Sequence, residues 1–118
     1  MKDSIKTILF FVMVSFVCSC EKVTVEPPEY DTTEPVSFEQ DIVPIFESKC
    51  VACHNGGRNP DVRAENAYES LTTDGYVNID EPELSSLYEI LYGTHDTRAT
   101  ELEKSIILAW IEQGAKND

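Results

Sequence analysis

The 118-residue chain has few methionines, few basic residues and few histidines, and each shortage excludes something. Its only methionines are Met1 and Met13, so nothing after the first few turns' worth of chain can offer a thioether ligand. Nine Lys and Arg stand against 22 Asp and Glu, a formal net charge of −13. A field of that sign repels nucleic acid and anionic headgroups and steers cationic partner surfaces toward the protein. Of the four cysteines, Cys18 and Cys20 fall at the N-terminal apolar stretch, which leaves only Cys50 and Cys53 for the rest of the chain and no disulfide framework. The longest apolar run, Ile8 to Val17, is ten residues and too short to cross a bilayer.

That run is preceded by Lys2 and Lys6 and followed by small and cysteine residues, the layout of a secretory signal, with Asp3 an untypical acid in it. Val17-Cys18-Ser19-Cys20 resembles a bacterial lipobox, with a branched residue three positions before Cys20 and a small one just before it. The resemblance implies cleavage after Ser19 and a lipidated Cys20, which would hold the chain at a membrane. An ordinary signal cut nearby would instead release a soluble periplasmic protein. Loss of residues 1–19 takes away Lys2, Lys6 and Asp3, leaving 7 basic and 21 acidic residues and a formal charge of −14. Only Cys50 and Cys53 then remain as thiols in an oxidising compartment, where unpaired thiols are a liability without a purpose.

Their purpose is suggested by Cys50-Val51-Ala52-Cys53-His54. Two thiols three positions apart with an imidazole directly after them match the attachment signature of c-type haem. The sulfurs of Cys50 and Cys53 would add to the two vinyl groups, and His54 would reach the iron from one side. A redox-active dithiol is the first alternative, but it wants a strand before and a helix after the motif, which the flanks do not offer. Zinc held by Cys50, Cys53, His54 and His95 is the second, and the adjacency of Cys53 and His54 makes its tetrahedron awkward.

Residues 20–36 are rich in proline, acids and threonine, lack an apolar face and read as a solvated tether. The domain is placed at 37–118, small enough that a buried haem would help complete its core. Ser37 and Gln40 have capping-box spacing, and Phe38, Ile42, Ile45 and Phe46 share a helix face that runs into Cys50, with Phe46 expected against the porphyrin. Pro44 either kinks that helix or sits in its first turn. Asn55 to Pro60 is a loop by composition, and a carbonyl near Pro60 is a candidate acceptor for the second ring nitrogen of His54. Ala64, Ala67, Tyr68 and Leu71 predict a short helix ended near Gly75, and Tyr76 to Ile79 an extended piece. Pro82 would open another helix with Leu84, Leu87, Tyr88 and Leu91 on one face, stopped at Gly93. Thr100 and Glu103 box the last helix, whose broad apolar surface (Leu102, Ile106 to Ile111) needs cover on two sides, expected from the first helix and the haem. Trp110, Tyr68, Tyr88 and Phe46 are read as packing residues.

With Met1 and Met13 both leaving in the expected signal, His95 between the last two helices is the candidate for the opposite face of the iron, since imidazole is a common haem ligand. A lysine ligand, an open distal face and a plain loop histidine are the alternatives. Arg58, Arg63 and Arg98 are candidate partners for the haem propionates, with Arg98 first because it neighbours His95.

Ser37 to His54, with the run Phe-Glu-Gln-Asp-Ile-Val-Pro-Ile-Phe inside it, resembles the opening of the small monohaem cytochrome c domains of bacterial lipoproteins and large planctomycete-type cytochrome proteins. Trp110-Ile-Glu-Gln-Gly-Ala115 is similar to their closing helix. The resemblance covers about residues 37–115 and implies an all-α cytochrome c fold of about four short helices around one covalent haem c, attached through Cys50 and Cys53 and ligated by His54. The family commonly has methionine where this chain has His95. The expected function is that of a single-electron carrier, not an enzyme, facing the periplasm in a bacterial cell envelope and exchanging electrons with proteins that dock through basic surfaces. A haem sensor or weak peroxidase with an open distal site, and a zinc-stabilised interaction module, are the competing expectations.

Overall fold

A computed structural model describes Asp31 and residues 33–118. The expected signal, the lipobox and most of the tether lie outside these residues. Among the described residues every regular element is helical and there is no strand, so the described part is all-α. A π-helical turn, Phe38–Ile42, leads into α1, Val43–Lys49. Helix α2 follows at Ala67–Thr73, then a 3-10 turn at Pro82–Leu84, α3 at Ser86–Tyr92 and α4 at Glu101–Glu112. No helix among the described residues is long and apolar enough to cross a membrane.

The wide turn before α1 settles the position of Pro44. Proline has no N–H to give the carbonyl four residues back, and its ring crowds that carbonyl. Widening the preceding turn lets the chain remain helical from Phe38 to Lys49, and the N–H of Val43 bonds the carbonyl of Phe38 instead. Ser37 caps this start by accepting from the N–H of Gln40 at 3.1 Å. Its own N–H is taken by the Asp41 carboxylate at 2.8 Å, so Asp41 fills the reciprocal role expected of Gln40.

The two chain ends of the fold meet. Phe38 packs on Trp110 (ring centres 5.1 Å apart) and edge-on to Tyr68 (5.3 Å). The hydroxyl of Ser37 and the N–H of Glu39 both donate to the carbonyl of Asp118. Val36, the last residue of the expected tether, is already buried, with its N–H donating to the Gln113 side chain, so the packed region begins one residue earlier than expected. Ile42, Phe46, Leu71, Ile107 and Ile111 fill the centre. Phe46 is therefore core, not a wall of the cleft described below. The second cover for α4 likewise comes from the 3-10 turn and α3, not from a cofactor space.

The expected single helix from Pro82 to Leu91 is two elements. Ser85 adopts an extended conformation between them. Its buried hydroxyl accepts from the N–H of Asn78 at 2.9 Å and so fastens the extended stretch after α2. The break turns Leu84 to solvent, while Leu87 and Leu91 remain inside. Helix α4 has the expected reciprocal box between Thr100 and Glu103 and ends before Gly114, at φ +95°.

Candidate functional site

The thiol-imidazole motif is one further turn wound off the end of α1. The N–H groups of Cys50 and Val51 both bond the carbonyl of Phe46, and those of Cys53 and His54 both bond the carbonyl of Cys50. Winding the pentapeptide this way puts Cys50, Cys53 and His54 on one concave surface. All three border a cleft that encloses about 200 Å³, or about 940 Å³ with its open mouth. Its apolar walls are Val62, Tyr76, Leu87, Ile90 and Leu91. An open apolar cleft with a few convergent polar groups is the usual form of a cofactor site.

His54 is held from behind. Its Nδ1 lies 3.1 Å from the carbonyl oxygen of Pro60, the acceptor expected from the sequence. That contact puts the proton on Nδ1 and leaves the Nε2 lone pair free for a metal, the arrangement that orients ligating histidines. The loop carrying Pro60 is itself tied down. The N–H of Val62 bonds the carbonyl of His54 at 3.0 Å, and the N–H of Asp61 bonds the Ser70 hydroxyl at 3.0 Å. The Asp61 carboxylate takes hydrogen bonds from Arg63 at 2.6 Å and from the Asn66 side chain at 2.9 Å. The Arg63 guanidinium beside it is the main reason the Asp61 carboxyl is held well below the usual carboxylate range.

Across the cleft stands His95, on the turn between α3 and α4. Its ring centre is 6.2 Å from that of His54, with the planes inclined by 49°. Its Nδ1 meets the Thr94 hydroxyl, a group that can donate or accept, at 3.0 Å. A metal bound end-on by two imidazoles, about 2.0–2.1 Å from each nitrogen, sets ring centres about 6.3–6.5 Å apart, close to the separation of His54 and His95. Each ring need only contain the ligand axis, so an inclination between the planes is no obstacle. Two imidazoles at about the spacing of a shared metal, with two thiols bordering the same cleft, are a donor set of the kind that holds a haem iron.

Arg58 and Arg98 also border this space, whereas Arg63 is engaged by Asp61 and Glu65 and does not. The guanidinium of Arg98 has no ion pair among the described residues, and its charge is felt at Cys50. Burial, with the Glu103 carboxylate adding to it, pushes the Cys50 thiol above its ordinary value. Cys53 is exposed at the cleft rim. Among the described residues no three or more His, Cys, Asp or Glu side chains gather as a metal-holding group, so the four-ligand zinc set is not assembled.

The residues that the sequence did not single out are the walls Val62, Tyr76 and Ile90, and Lys104. Nothing local distinguishes an apolar residue that lines a cleft from one that fills a core. Lys104 is wholly buried in α4, bonded to Asp96 at 2.7 Å and Glu101 at 2.8 Å. The only local trace of that arrangement is the three-residue spacing of Glu101 and Lys104. No family model, curated protein or solved structure matches the chain.

Proposed function

We propose that this protein is a c-type cytochrome, a single-electron carrier held at a bacterial membrane as a lipoprotein. The observation that carries the proposal is the pair His54 and His95, with ring centres 6.2 Å apart at the cleft that both cysteines border and the Nδ1 of His54 held by the Pro60 carbonyl. Haem c would supply an iron that cycles between ferric and ferrous states. Cys50 and Cys53 would hold it covalently, and His54 and His95 would ligate its iron. Two imidazoles favour a lower potential than a methionine–histidine pair and leave no open position for a substrate.

The rest of the chain would tune and present that centre. The Pro60 carbonyl would keep the His54 ring in one orientation. Leu87, Ile90, Leu91 and Val62 would give the cofactor an apolar surround. Arg58 and Arg98 are the cations at hand for the propionates. The acidic charge, −14 once residues 1–19 are removed, would speed encounter with partners that dock through basic surfaces, in a salt-dependent way.

The deciding experiment is an absorption and EPR spectrum of the full chain made in a host with cytochrome c maturation machinery, with an intact mass on the same sample. Covalent haem with a low-spin bis-imidazole signature is expected, converted to high spin by His95→Ala. High-spin iron in the parent that takes up carbon monoxide would make the protein a ligand-binding haem domain instead. Bare polypeptide in the mass spectrum would end the cytochrome proposal.

A further inference from the structure

We infer that Lys104 is a positioning residue for His95: its buried ammonium, tied to Asp96, sets the turn from which the His95 imidazole faces His54. The inference rests on His95 being the second iron ligand.

Lys104 occupies a position on α4 in line with Ile107 and Ile111, where an aliphatic side chain would satisfy the packing. A fully buried ammonium is destabilising unless its donors are all partnered. Here they meet the Asp96 carboxylate at 2.7 Å, the Glu101 carboxylate at 2.8 Å and the face of the Tyr92 ring at 4.4 Å from its centre. The three partners bracket the ligand turn. Tyr92 is the last residue of α3, Asp96 follows His95 directly, and Glu101 opens α4.

Little else fixes how that turn lies. Thr94, Asp96, Thr97 and Arg98 are exposed, and Ala99 alone is buried near its end. The His95 N–H bonds the Ile90 carbonyl at 3.0 Å, and the Arg98 N–H bonds the His95 carbonyl at 2.8 Å. These bonds shape the turn but do not tie it to α4. Lys104–Asp96 is the short side-chain link that does so among the described residues. Helix stability alone would need only the Glu101 partner one turn away. The reach to Asp96 connects α4 to the residue beside the imidazole.

The test uses the full haem-loaded chain and four forms: the parent, Lys104→Met, Asp96→Asn and His95→Ala. Lys104→Met keeps the length and burial of the side chain without its charge, and Asp96→Asn changes an exposed partner and spares the core. Loss of a hydrogen bond to a charged group is expected to weaken His95 binding by about tenfold or more. It reads out as a rising high-spin fraction that added imidazole returns to low spin, with covalent haem and helical content retained. A purely structural role would lower the denaturation midpoint and leave the spin state and the imidazole titration unchanged, and that result in both Lys104→Met and Asp96→Asn overturns the inference. Where Lys104→Met does not fold, Asp96→Asn alone decides it by the same spectrum. An unchanged His95→Ala spectrum would sink the ligation reading itself, which a changed His95→Ala spectrum beside unchanged Lys104 and Asp96 variants would not.

Discussion

His54 Nδ1 sits 3.1 Å from the Pro60 carbonyl oxygen, and the next residue, Asp61, is the hub that keeps this carbonyl in place. The Asp61 carboxyl is held below its ordinary value of 3.8 by Arg63. A depressed carboxyl contributes stability that is present above the unfolded value and lost as pH falls toward the folded one. Urea midpoints measured between about pH 6 and pH 2 should therefore fall on the acid side of 3.8, and Asp61→Asn should be weaker at neutral pH and flatter below it. Parallel curves for the two proteins would remove Asp61 from this role.

The two thiols are unequal before any cofactor is attached. Burial raises the Cys50 thiol's pKa and shields it, while Cys53 is exposed. Thiolate is the reactive form, so iodoacetamide should modify Cys53 several-fold faster than Cys50 in the reduced apo-protein. Peptide mapping at short reaction times reads the order directly, and faster labelling of Cys50 would contradict the burial described above.

Phe38 joins the first helical turn to Trp110 and Tyr68, ring against ring. Phe38→Ala should cost about 3–5 kcal/mol, the usual range for emptying a buried aromatic site. For a domain of this size that is a large part of a total on the order of 5–15 kcal/mol. The check is chemical denaturation followed by far-UV circular dichroism, and a loss under about 1 kcal/mol would mean that the ends are not clamped there.

Arg98 borders the cleft with its guanidinium unpaired among the described residues. A cation beside the iron stabilises the reduced form by Coulomb attraction, so Arg98→Gln should lower the midpoint potential. A change of about 1 kcal/mol corresponds to roughly 40 mV for a one-electron couple. Spectroelectrochemical titration at low salt measures it, and a rise or no change would place the propionates elsewhere.

Short-range signals carried much of the helical architecture. Thr100 and Glu103 form the box that their spacing predicts, because both partners lie within one turn and need no tertiary help. Ser37 caps its helix, yet Asp41, not Gln40, completes the cap, since two acceptors compete for one N–H at similar reach. Leu84 fits the apolar repeat of α3 but is exposed, because the chain is extended at Ser85, whose hydroxyl takes the Asn78 N–H from a segment outside the helix. Phe46 and the inner face of α4 turn to the core and not to the cleft, a choice between two apolar environments that no periodicity distinguishes. Arg63 was one of three candidate cations in the sequence, ranked behind Arg98, and only the fold shows it spent on Asp61.

The amino-acid sequence by itself determined which chemistry was at hand: two thiols and an imidazole within one turn, one further histidine, no methionine beyond Met13, and an acidic surface. Those are matters of composition and local spacing, fixed before the chain folds. Only the tertiary structure decided that His95 stands opposite His54, that Lys104 is buried beneath the turn bearing His95, and that α4 closes on the first helix. Each of these depends on segments distant in sequence meeting at ångström distances, and that is set by how the helices pack.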